Sequence, residues 1–162
     1  YNSRLNKVIK VHDVALKAND KYDKQLSFSI DFDINDRLQK IGKMRFTSVP
    51  LIHQPYTRGI ITAEQRRYPI FYPFYENVNH YYSEVIMNID EGNKFIEIPE
   101  NKEYTYKKHK YRIGYELLKD NSLKITRDVY TPFDTISVDD YADFKSYVEK
   151  IIEDEEAVIA FE

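Results

Sequence analysis

Cysteine is absent from all 162 residues. That removes a disulfide framework, a thiolate zinc site and a cysteine nucleophile together, although it does not fix the redox compartment. Glycine occurs only at Gly42, Gly59, Gly92 and Gly114, so no glycine-rich loop is available to cradle a phosphate. No apolar run approaches the ~20 residues needed to span a bilayer as a helix. Lys and Arg number 24 against 27 Asp and Glu, a net charge of −3, so there is no broad basic field for nucleic acid. The four histidines, His12, His53, His80 and His109, show neither the i, i+4 pairing nor any other zinc-ligand spacing. No Gly-x-Ser-x-Gly elbow is present. The expectation is a chain with no catalytic residue, no metal ligand and no cofactor of its own.

The chain is rich in aromatics, at 15% of residues with 15 tyrosines, a composition suited to strands. Period-two alternation dominates the order of residues. Leu26, Phe28, Ile30, Phe32 and Ile34 alternate with Ser27, Ser29, Asp31 and Asp33, which predicts a strand with one buried face. Ile9 and Val11 share one parity while Val14 and Leu16 share the other, so a β-bulge is expected near His12-Asp13. A third strand is expected over Gln39–Val49 with Gly42 as a bulge, then a loop to Glu64 punctuated by Pro50, Pro55 and Gly59. Val78–Ile89 reads as a long strand, and Asp90-Glu91-Gly92-Asn93 as a hairpin turn. Short strands follow at Phe95–Ile98, Tyr104–Tyr106, Tyr111–Leu117 and Leu123–Val129. Eight to ten short strands with frequent turns predict a mainly β fold, an antiparallel β-sandwich.

One helix is expected, over about 138–153, followed by a short final strand at Val158-Ile159. Ser137 is a suitable N-cap, and Asp139 and Asp140 place negative charge at the positive end of the helix dipole. Tyr141, Phe144, Val148, Ile151 and Ile152 share one helical face. A helix this short is marginal alone, so it is expected to lie on its own sheet. The length suits one domain with a real core, and residues 1–162 are read as a single β-sandwich domain. Because the chain opens on Tyr1 without a signal peptide, it is expected to be a fragment of something larger.

Asp31-Phe32-Asp33-Ile34-Asn35-Asp36 resembles the start of a calcium loop. Asp36 replaces the turn glycine, however, and Gly42 stands where the bidentate Glu belongs, so a solvated strand face is the better reading. Lys107-Lys108-His109-Lys110 reads as a basic hairpin tip. The sharpest surface candidate is an aromatic run: Tyr68, Phe71, Tyr72, Phe74, Tyr75, Tyr81 and Tyr82. These rings could form a binding platform for polysaccharide or peptide. They could equally fill the core and pair across strands.

Three stretches carry a family resemblance. Arg66-Arg67-Tyr68-Pro69-Ile70 enters an aromatic strand, Phe95-Ile96-Glu97-Ile98-Pro99-Glu100 closes an apolar pair on a proline, and Ile136 precedes Tyr141-Ala142-Asp143-Phe144 and the helix. Together they resemble the uncharacterised β-sandwich domain that follows the transglutaminase-like core in multidomain bacterial proteins. The resemblance covers residues 24–162 and leaves 1–23 unplaced. It implies a non-catalytic accessory role beside an upstream catalytic domain of the same chain. It also implies a periplasmic or extracellular location. The alternative is a β-sandwich module that binds carbohydrate or peptide through its aromatic surface.

Overall fold

The computed structural model describes residues 9–16, 28–34, 38–49, 51, 53–71 and 78–162. The chain divides into two compact units, Tyr1–Thr47 and Ser48–Glu162. In the first, β1 (Ile9–Leu16) pairs antiparallel with β2 (Phe28–Ile34), and the register slips between Val11 and Asp13. That slip is the bulge anticipated from the change of parity. Next, β3 (Gln39–Ile41) and β4 (Met44–Ser48) form a hairpin in which Ile41 faces Met44. Gly42 is therefore not a bulge but the first residue of a two-residue hairpin loop, where its φ of 63° suits a residue without Cβ.

The second unit holds a four-stranded antiparallel sheet and most of the core. Its strands are β6 (His80–Met87), β8 (Lys102–Tyr106), β9 (His109–Leu117) and β10 (Leu123–Tyr130), in the order β6-β10-β9-β8. Two-residue periodicity sends Tyr111, Ile113, Leu123, Ile125 and Val129 to a buried face. Arg112, Glu116 and Asp128 go to the wet one. The β8–β9 turn at Lys107 has φ 50°. The β9–β10 turn closes through Leu118 N–H to Ser122 O at 2.8 Å, with Asn121 at φ 61°.

The Asp90–Asn93 turn forms as expected, with Gly92 at φ 89° and Asn93 N–H bonded to Asp90 O. It does not close a hairpin. β6 pairs with β10, whereas β7 (Phe95–Glu97) pairs with β12 (Val158–Phe161). Turn chemistry fixes where the chain reverses and not which strand it meets. The apolar face of β10 offers β6 an eight-residue match that a three-residue strand cannot. A short ladder also joins β5 (Ile70–Phe71) to β11 (Thr135–Ile136).

The helix α1 spans Tyr141–Glu155, so the expected start at 138 shifts by a turn. Ser137 still organises the entry: its hydroxyl oxygen accepts the Asp140 N–H at 3.1 Å and donates to the Asp140 carboxylate. Residues 138–140 are thus a lead-in turn instead of helix. Lys107 at the β8–β9 tip ion-pairs with Asp140, and Tyr106 donates to the Asp140 carbonyl at 3.3 Å. The basic tip is therefore an anchor for the helix entry. Phe144, Val148 and Ile151 are fully buried, with Tyr141, Tyr147 and Ile152 close behind. At roughly 1.5–3 kcal/mol for each fully buried large apolar side chain, this face outweighs the weak intrinsic stability of a four-turn helix. After α1 the chain enters β12, where Ile159 and Ala160 are buried and Phe161 lies 6.1 Å from Phe95, ring to ring.

The long connection before β5 holds one 3₁₀ turn, Arg58–Ile60, and is tied down from several sides. Tyr56 reaches His109, the His53 carbonyl accepts from Arg127 at 2.6 Å, and the Ala63 carbonyl accepts the Tyr141 hydroxyl at 2.6 Å. These bonds give backbone and side-chain polar groups partners without a ladder. Replacement of the central helix residue, Phe144→Ala, should cost about 3–5 kcal/mol. Chemical denaturation will measure it, and a loss below about 1 kcal/mol would contradict a docked helix.

Candidate functional site

The structure disperses the aromatic run. Tyr72, Phe74 and Tyr75 lie outside the described residues. Tyr81 and Tyr82 are neighbours on β6 and therefore face opposite sides of the sheet. Tyr81 is half-buried and stacks on His53 with ring centroids 4.8 Å apart. Tyr82 is 62% exposed on the outer side. Phe71 is exposed on β5 opposite Thr135, and Tyr68 is 77% exposed ahead of that strand. The described rings thus split between the inner and outer sides of the fold.

The outer face of the four-stranded sheet gathers the accessible polar chemistry. Tyr82 donates to Glu84 at 3.3 Å, and Lys124 pairs with the same carboxylate at 2.9 Å. His80 meets Asp128 at 2.7 Å. Register explains the grouping: Tyr82 faces Asp128 and His80 faces Tyr130 across the β6–β10 ladder. Near the middle, Gly114 faces Thr126, and a Cβ on Gly114 would come within 3.1 Å of the Thr126 hydroxyl. The result is an open tyrosine whose hydroxyl is already oriented, beside fixed donors and acceptors. Such a surface can stack against a ring and hydrogen-bond to its rim.

Two further constellations bring together titratable side chains in largely buried surroundings. His109 is fully buried. Its Nε2 lies 3.1 Å from Asp134 Oδ1 and its Nδ1 lies 2.9 Å from the Tyr56 hydroxyl. A carboxylate only accepts, so Nε2 carries the proton and Nδ1 accepts from Tyr56. Rings of Tyr56, Tyr106, Phe144 and Tyr147 surround the imidazole. Burial lowers the His109 pKa against the opposing pull of Asp134. A Tyr–His–Asp chain of this kind holds helix, loop and sheet together, with the imidazole fully buried and the Asp134 end partly exposed.

The second constellation is Arg127 with Glu155, joined at 2.9 Å and buried at both ends. Here the sequence held a signal that its alternation pattern obscured. Arg127 occupies the buried parity between Ile125 and Val129. Glu155 sits one turn beyond Ile151, on the apolar side of α1. Burial pushes the Glu155 pKa up and Arg127 pulls it back down. Among the described residues no three His, Cys, Asp or Glu side chains converge to hold a metal ion. No described helix is long and apolar enough to cross a membrane.

Both centres generate measurable expectations. Because the folded His109 pKa lies below its unfolded value, unfolding takes up a proton once pH falls below the ordinary histidine value of about 6.5. Stability should therefore be full above that value and decline as pH drops through it. His109→Gln should flatten this part of a pH series of denaturation midpoints. For the ion pair, Arg127→Met or Glu155→Met alone should cost about 3–5 kcal/mol, and the double variant less than the sum of the two. A double-mutant cycle in denaturant reads this directly.

Comparison with known proteins places this architecture. The fold resembles the 2.00 Å crystal structure of a protein described as a "putative protease" from Parabacteroides distasonis, with a TM-score of 0.57 and 13% identity. The likeness covers 73% of this chain and 23% of that one. At that identity it is a likeness of fold, and this chain spans under a quarter of that protein's length. No curated protein matches the sequence. The family described as a domain of unknown function with a solved structure, DUF3858, matches residues 42–161. With that match running from the β3–β4 turn to the last residue of β12, the chain belongs to the DUF3858 family.

Proposed function

We propose that this chain is a non-catalytic accessory domain of an exported multidomain protein of transglutaminase-like or protease-like type. In this reading the catalytic machinery lies in an upstream domain of the same protein, in the periplasm or outside the cell. The domain packs against that neighbour or helps present its substrate. The observation that carries the proposal is the match of scale and fold. A chain described as a "putative protease" matches 73% of this one over 23% of its own length, while this sequence has no cysteine and keeps His109 fully buried. An accessory β-rich domain is consistent with both.

A second reading is favoured by Tyr82. Its openness, and a hydroxyl already held by Glu84, suit a module that binds polysaccharide or peptide on the outer face of the sheet.

Two assays test these readings. The isolated chain should turn over neither peptide substrates nor a glutamine–amine transfer pair above the buffer rate. Turnover that His109→Gln abolishes would overturn the accessory reading. For the second reading, oligosaccharide or peptide added to the labelled chain should shift amide signals along β6 and β10. Tyr82→Ala should remove the shifts while leaving the rest of the spectrum in place.

A further inference from the structure

Beneath the last turn of α1, five polar atoms are buried without a hydrogen-bond partner among the described residues. They are Tyr111 Oη, Tyr115 Oη, Arg127 Nε, Asp154 Oδ2 and Glu155 Oε2. Buried polar groups in native proteins nearly always have partners; Tyr104 reaches Asp154 and Gln54 reaches Glu155, yet one oxygen of each carboxylate stays without a partner among the described residues. Their proximity follows from register and electrostatics. Tyr111 and Tyr115 flank Ile113 on β9, and Ile113 faces Arg127 across the ladder. Tyr111 feels the charges of Glu155, Arg127 and Asp154, and Tyr115 those of Asp154 and Glu155.

The chemistry of the five atoms selects what can fill the space. Arg127 Nε–H can only donate, and the two carboxylate oxygens can only accept. Burial pushes both phenols well above their ordinary pKa, so each keeps its proton and can donate and accept. A metal cation would leave the guanidinium unsatisfied and repel it. An anion would face two carboxylates. An apolar group would satisfy none of the five. Water both donates and accepts. We infer that this seam is a built hydration site in which ordered water bridges Arg127 Nε and the two tyrosine hydroxyls to the free carboxylate oxygens. With about three hydrogen bonds per buried water, the five atoms call for about two molecules.

The Arg127–Glu155 pair then forms one edge of a wet polar network, and the last turn of α1 rests on solvent as well as on side chains. The network belongs to the internal structure of the domain and is independent of the outer-face reading above.

A high-resolution crystal structure of the chain tests the inference, together with water-selective NOE transfer to the Arg127 Nε proton in solution. The expected result is discrete water density within about 2.7–3.2 Å of Tyr111 Oη and Arg127 Nε, with a matching cross-peak. Tyr111→Phe should remove at least one of these waters while the Arg127–Glu155 pair stays in place. Tyr115→Phe, at a less buried position, makes the same test where Tyr111→Phe fails to fold. A dry seam, in which the phenols and Arg127 Nε bond directly to the carboxylates, would overturn the inference. So would water density unchanged in the phenylalanine variants.

Discussion

Burial of one face of α1 is the constraint on which the second unit depends. Phe144, Val148 and Ile151 must leave water together, and the inner side of β8, β9 and β10 is the apolar surface that receives them. Most of the polar ties converge on that contact. Lys107 and Tyr106 hold the helix entry, Tyr141 holds the loop at Ala63, and Arg127 reaches the last turn through Glu155. The hydrophobic term supplies the attraction, and the directional bonds decide where along the sheet the helix stops.

The two buried polar centres solve the same problem with different completeness. His109 has a partner on each ring nitrogen and stays neutral among aromatic rings, so its desolvation is compensated locally. Arg127 and Glu155 neutralise each other but leave further donor and acceptor capacity facing the tyrosines. Partners for such groups are worth more in a low-dielectric interior than at the surface. The exposed pairs, such as Arg58 with Glu156, decorate the surface and contribute little to stability. In the accessory reading, function falls to the outer surface of the domain.

Strand parity made most of this legible in the sequence. The Leu123, Ile125 and Val129 phase, the bulge near His12-Asp13 and the apolar stripe of the helix all follow from side-chain spacing alone. Pairing did not, because a turn specifies a reversal but not a neighbour. β6 and β7 consequently part company after Gly92 although a hairpin was expected there. The candidate surface was legible only as a run of aromatic residues. A cluster of aromatics in sequence cannot stay a cluster on a strand, since adjacent rings such as Tyr81 and Tyr82 must diverge. The buried centres could have been suspected from one clue, a charged or imidazole side chain in a phase otherwise reserved for apolar residues, as at Arg127 and His109. Which carboxylate answers each of them depends on tertiary geometry.

The exchange of strands after Gly92 also sets an order of events during synthesis. When β6 leaves the ribosome its partner β10 has not been made, and β7 must wait longer still, for β12. Each emerges with an unpaired edge: β6 waits until the β8–β9 hairpin has passed and β10 arrives, and β7 waits for the helix as well. Assembly of the second unit is therefore bound to be late, close to all-or-none, and slow for its size, as expected where contacts join distant parts of a chain. Until then its tyrosine-rich strands stand exposed to other chains.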